Sequence, residues 1–262
     1  MSEAAALRTL EAVAAFTQRI RLAGADSAGI ATSAMRRARN AVEFGEQFRA
    51  VAGTPLRVLS GAEEAAATFR GAMFGAPRDG AIRAVLDVGG GSTECATGRD
   101  GRLERERSVE IGSVRLTEQY PELTGSAPGA AARAAASRAR TAIAAELGWL
   151  ASFRPVAEVR AVAGTPLTLG AIARRSSPED VAGELLERST IESIVERLLE
   201  MNLEERRAVE GMIAQRADIL VAGGLIVSEA LRLLERSAAR LEVNDLLLGY
   251  LLGEFALERS PQ

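Results

Sequence analysis

The chain has 262 residues, 47% hydrophobic and 26% charged, with a net charge of −3. That is the composition of a soluble globular protein long enough for two domains, and it gives no electrostatic reason to expect nucleic acid or a membrane surface as a partner. Histidine and lysine are both absent, so a Ser-His-Asp triad, a histidine-ligated zinc and a P-loop lysine are excluded. A general acid or base must then be a carboxylate, a tyrosine or water. The single cysteine, Cys95, excludes an internal disulfide and a cysteine-ligated zinc cluster, and fits a reducing cytoplasm. No apolar run reaches membrane-span length, and the first sixteen residues read as an amphipathic helix rather than a signal peptide.

In chain order, residues 4–22 place Leu7, Leu10, Val13, Ala14 and Phe16 near helical spacing. A short strand is expected over 28–31, a helix over 34–49 and a second strand over 56–59. Ser60 followed by Glu63 has capping-box spacing and starts a helix reaching about residue 74. Residues 75–80 are a turn-rich linker. A buried-type strand over 81–87 enters a glycine turn, and residues 93–97 leave it as another strand. Asp100-Gly101 signals a tight hairpin to a third strand over 103–109, giving a three-strand meander. Helices are expected over 113–120 and 130–149, the second strongly alanine-rich, then a strand over 156–162 ending at Gly164-Thr165-Pro166 and a further helix. The remainder reads as helices over 190–201, 203–210 and 215–237, a strand near 240–243 and a last helix over 245–257.

Four segments carry chemistry. In Asp87–Glu94, DVGGGSTE, three glycines let backbone N–H groups approach a ligand, Ser92 and Thr93 add hydroxyls, and Asp87 and Glu94 supply carboxylates suited to Mg²⁺. A plain hairpin with a flexible tip is the alternative. Residues 60–65, SGAEEA, put Glu63 and Glu64 in the first turn of a helix, either as dipole-complementing caps or as a general base. Residues 31–36, ATSAMR, offer hydroxyls and Arg36 at a strand-to-helix junction, either for an anion or as part of a solvated basic face. Residues 163–168, AGTPLT, repeat a strand-to-helix junction that a capped helix start explains equally well. Cys95 is expected to be a small buried residue rather than a nucleophile.

In order and spacing, ATSAMRRARN, SGAEEA, LDVGGGSTE, IGSVRLTEQY, AGTPLTLGAI and QRADILVAGGLIV resemble the Ppx/GppA phosphatase family over nearly the whole chain. The resemblance implies an α/β fold of the actin-like ATPase superfamily, with two ribonuclease-H-like domains, here residues 1–80 and 81–262. It implies an Mg²⁺-dependent hydrolase releasing terminal phosphate from inorganic polyphosphate or guanosine pentaphosphate. Matched residue by residue, Glu64 is the catalytic base and Asp87 and Glu94 hold the metal. Arg36, Gly89, Gly90, Gly91, Ser92, Thr93, Gly164 and Thr165 bind phosphate. Partners are the phosphorylated substrate alone, with neither nucleic acid nor membrane, and a homodimer is expected on the same basis. The arginines of 36–49 and 102–107 either form a groove for a long polyanion or an exposed charged face.

The departure from the family pattern is at the front, where a D-x-G-S-N-S-x-R turn is absent, so the first domain is expected to be N-terminally truncated. A start codon placed too late is the preferred explanation, and the upstream DNA read in frame tests it. A truncated relative that binds phosphate or nucleotide without hydrolysing it is the alternative. A kinase of the same superfamily fits the SGAEEA segment less well. Near the end, residues 243–249 keep an acid and a glycine but lack the arginine expected there.

Overall fold

The computed structural model describes residues 1–254, so the final three residues of the expected 245–257 helix lie outside it. Contacts divide the chain into two compact units, between Glu64 and Ala65.

The first unit opens with α1, Glu3–Ala23, capped by the Ser2 hydroxyl and closed by Gly24 in the left-handed region. Then follow β1 (Gly29–Ala31), α2 (Ser33–Arg36), α3 (Ala41–Ala52) and β2 (Leu56–Val58). β1 and β2 form a two-stranded parallel sheet with Gly29 opposite Leu56. The core is small, with Ala6, Met35, Phe44 and Phe48 meeting Leu10 and Val13. Leu7, Phe16, Leu22 and Val42 stay exposed. The single helix expected over 34–49 is in fact two. Tight three-residue turns, Ala38 N–H to Met35 O and Ala41 N–H to Ala38 O, break it at Arg37–Asn40. Neither glycine nor proline marks that break.

The unit boundary falls inside α4, Gly61–Ala72. Residues just beyond it, assigned to the first domain on sequence grounds, pack with the second unit: Ala65, Phe69, Ala72, Met73 and Ala76 lie on Val85, Ala96 and Val162. The meander is β3 (Arg83–Val88), β4 (Thr93–Arg99) and β5 (Arg102–Val109), antiparallel throughout. Asp100 and Gly101 both have positive φ, the tight hairpin that their sequence signals. After α5 (Ser113–Gln119) and α6 (Ala130–Leu147) come β6 (Glu158–Val162) and α7 (Gly164–Arg174). β7 (Leu185–Glu187), α8 (Arg188–Leu199), α9 (Leu203–Arg207), α10 (Leu220–Leu233), β8 (Ala238–Leu241) and α11 (Leu246–Glu254) complete the described chain.

The sheet order is β5-β4-β3-β6-β8-β7, with β3, β6 and β8 mutually parallel. Three-residue β7 is absent from the sequence reading, since it is too short to show a period and exists by pairing with β8. The helix expected over 215–237 begins only at Leu220, after a short 3-10 turn at Ala214–Arg216. One face of the sheet carries Leu86, Val88, Cys95, Val159 and Ala161 into the main core with α6 and α10. The other face carries Val85, Ala96 and Val162 under α4. Among the described residues no helix is long and apolar enough to cross a membrane.

α4 and α11 touch backbone to backbone. A Cβ on Gly249 would stand 1.7 Å from the Ala67 carbonyl oxygen, and one on Gly71 would stand 2.0 Å from the Asp245 oxygen. Neither neighbour is a flexible side-chain end. Gly249→Ala is therefore expected to cost about 1–3 kcal/mol, readable as a lowered urea midpoint with unchanged slope; an unchanged midpoint contradicts the contact.

Candidate functional site

β3 and β6 are parallel neighbours with Asp87 opposite Val162, so the turns that follow them leave the same end of the sheet. Carboxyl ends of parallel strands are where open α/β sheets bind ligands. In the turn after β3, Gly89 N–H donates to Ser92 O at 3.1 Å. The N–H groups of Gly90, Gly91 and Ser92 donate to no group among the described residues. Three consecutive amides without an acceptor leave backbone donors open to an anion at this turn. Thr93 is placed differently from its neighbours, as its hydroxyl is buried and donates to the Ile111 carbonyl at 2.6 Å.

Asp87 and Glu94 stand directly opposite in the antiparallel pair, on the α4 face of the sheet, and both are buried. Thr68 of α4 donates to Asp87 Oδ2 at 3.4 Å, and Ser108 donates to Glu94 Oε1 at 2.6 Å. Like charges directly opposite are unfavourable unless something offsets them. Among the described residues no group of three or more acidic, cysteine or histidine side chains is gathered for a metal. Two carboxylates fit Mg²⁺, which commonly takes one or two protein carboxylates and completes its shell with water and substrate phosphate.

The turn after β6 starts α7. Ala163 holds a positive φ of 72°, strained for alanine, and no side chain caps the helix. The first-turn amides of Gly164 and Thr165 are thus left without a side-chain cap at the positive end of the helix dipole. Thr165 is buried against α10, where a Cβ on Gly223 would meet Thr165 Cγ2 at 2.5 Å and Ser113 Cβ at 3.3 Å. The glycine at 223 thus lets α5 and α7 converge.

Sequence reasoning missed Arg216. A Cβ on Gly164 would stand 2.1 Å from its Cζ, so the guanidinium lies on the glycine itself. It has no hydrogen-bond or ion-pair partner among the described residues, and burial draws its pKa below the ordinary value. The only available signal was the need for glycine at 164 to admit a close neighbour.

Arg36 and Glu64, singled out independently, meet in the first unit: Arg36 Nη1 donates to Glu64 Oε2 at 2.6 Å and to Leu59 O at 2.9 Å. Glu63 is the structural member of its pair. It accepts from Ser60 N–H at 2.8 Å, Ser60 Oγ accepts from Glu63 N–H, and those contacts with Arg57 hold its carboxyl down at about 2. Of the exposed β5 arginines, Arg105 donates to the Ser152 carbonyl and Arg107 lies 5.0 Å from the Trp149 ring centre. Cys95 is fully buried, which pushes its thiol up to about 12. It should resist a disulfide-exchange reagent at pH 8 in the native protein and react fully in denaturant; rapid native labelling would contradict its placement.

A mixed sheet of this order, with turns leaving the carboxyl ends of parallel β3 and β6, is consistent with the actin-like ATPase fold. Solved structures share it: an Aquifex aeolicus Ppx/GppA family member is similar over 100% of this chain and 84% of its own, with TM-score 0.81 and 24% identity. An exopolyphosphatase from Cytophaga hutchinsonii is similar over 99% and 84%, with TM-score 0.85 and 22% identity. The chain belongs to the Ppx/GppA phosphatase family, whose sequence model matches residues 1–252. Exopolyphosphatase 2 of Mycobacterium tuberculosis is 33% identical over 195 residues, covering 72% of this chain. The match spans 59% of that relative's length.

Proposed function

We propose that the chain is a phosphoanhydride hydrolase that releases terminal phosphate from inorganic polyphosphate or guanosine pentaphosphate with Mg²⁺. The observation that carries this reading is the trio of free amides at Gly90, Gly91 and Ser92, beside the opposed carboxylates of Asp87 and Glu94 and the open first turn of α7. Donors and a carboxylate pair within one strand turn suit a polyphosphorylated group better than a carboxylic acid or a neutral ligand.

In this reading the loop amides, the α7 amides of Gly164 and Thr165, and the Arg216 guanidinium take up charge on the phosphate oxygens. Asp87 and Glu94 would hold Mg²⁺, which supplies charge neutralisation at the phosphates. Water attacks the terminal phosphorus, its proton passes to Glu64, and the bond from phosphorus to the bridging oxygen breaks, leaving the shortened chain as leaving group. Arg36 exchanges its Glu64 partner for substrate phosphate, which frees Glu64 to accept the proton. A cytoplasmic location, on the single cysteine, and a homodimer, on the family's pattern, remain part of the proposal.

A second reading, a phosphate- or nucleotide-binding protein without turnover, has the Arg36–Glu64 pair in its favour, because the pair occupies both the base and its neighbouring cation. Steady-state phosphate release on both substrates, with Mg²⁺, separates the readings. The hydrolase releases phosphate from at least one of them, and kcat/KM names the preferred substrate. Tight binding of either with no release selects the second reading.

A further inference from the structure

We propose that the first turn of α5 is a clamp that shapes the phosphate loop, with Arg115 as its positioning residue; this deepens the hydrolase reading and rests on it. Every carbonyl of the triple glycine is held from one side. Gly89 O accepts from Ser113 N–H at 2.9 Å and from its hydroxyl at 3.1 Å. Gly90 O accepts from Val114 N–H at 2.9 Å and Arg115 N–H at 3.1 Å. Gly91 O accepts from Arg115 Nε at 3.1 Å, and Arg115 Nη2 is anchored on Glu110 at 2.6 Å.

A trans peptide unit is planar, with its C=O and the next N–H pointing in opposite directions. Drawing the carbonyls of residues 89, 90 and 91 toward α5 therefore turns the amides of 90, 91 and 92 away from it. Those are the three amides without a partner. The seven-residue α5 spends its N-terminal donors on the loop rather than on a ligand. Gly112 is part of the clamp, since a Cβ there would stand 2.5 Å from Gly90 O and 2.7 Å from Gly91 N. Of the three held carbonyls, only that of Gly91 depends on a side chain alone. Arg115 fixes the plane that presents the Ser92 amide.

The test combines kinetics with a phosphate titration followed by backbone amide resonances of Gly90, Gly91 and Ser92. The proteins are wild type, Arg115→Met and Glu110→Ala, and the probe is inorganic phosphate with Mg²⁺. The clamp predicts that Arg115→Met needs about ten-fold more phosphate to shift these amides and loses about 10- to 100-fold in kcat/KM. Glu110→Ala, which loosens the anchor and leaves the Arg115 contact, should fall in between. Wild-type phosphate affinity and wild-type kcat/KM in Arg115→Met overturn the clamp. Should Arg115→Met not fold, the Glu110→Ala titration decides: no weakening overturns the proposal. If wild type releases no phosphate, the hydrolase reading fails, while the amide titration still decides the clamp.

Discussion

Replacing Glu64 with Gln is expected to lower turnover by about 10²–10⁴-fold, the range that a positioned general base supplies. Glutamine keeps the shape and still accepts a hydrogen bond from Arg36, but cannot take the proton. Glu64 is buried at 6% exposure, and its Arg36 partner is tied separately to the Leu59 carbonyl. The fold is therefore expected to survive, with a loss of about 1–3 kcal/mol for one charge-assisted hydrogen bond made weaker. Matched urea denaturation and single-turnover phosphate release separate the two effects. Turnover within a few fold of wild type would remove Glu64 from the chemistry, leaving the pair with Arg36 as a structural tie across α2 and the start of α4.

Asp87→Asn is expected to act through the cation. An amide oxygen is a weaker, uncharged ligand, so the Mg²⁺ concentration giving half-maximal rate should rise, and kcat should fall by about 10²–10³-fold, the scale of losing one preorganised charge contact. Thr68 can still bond to the substituted side chain, and Glu94 keeps its Ser108 partner, so stability should change little. Mg²⁺-induced thermal stabilisation gives an independent reading: present in wild type, lost in the variant. A variant that keeps wild-type Mg²⁺ demand would place the cation elsewhere.

What was legible in the sequence was local. The capping box at Ser60 and Glu63, the Asp100–Gly101 hairpin and the glycine turn each lie within a few residues and carry their own geometry. The ordered motifs from ATSAMR to QRADIL gave the family and hence the fold. What was not legible depends on residues far apart in the chain. Arg216 matters because it rests on Gly164, and Arg115 because it reaches Gly91; a lone arginine in a helical stretch announces neither. Thr93 shows the reverse limit. Its place next to Ser92 suggested a ligand donor, but alternation along β4 turns its hydroxyl toward Ile111. The break between α2 and α3 escaped because Arg37, Ala38 and Arg39 are good helix formers, while the bonds from Ala38 N–H to Met35 O and from Ala41 N–H to Ala38 O close separate turns there.

Splitting of a terminal phosphoanhydride is read most directly by phosphorus NMR of inorganic polyphosphate and of guanosine pentaphosphate, each incubated with the protein and Mg²⁺. A terminal phosphohydrolase gives a growing orthophosphate signal from the first time points with at least one of the two. Unchanged spectra with both substrates under conditions where they bind, or mid-length polyphosphate fragments ahead of orthophosphate, would overturn the hydrolase reading.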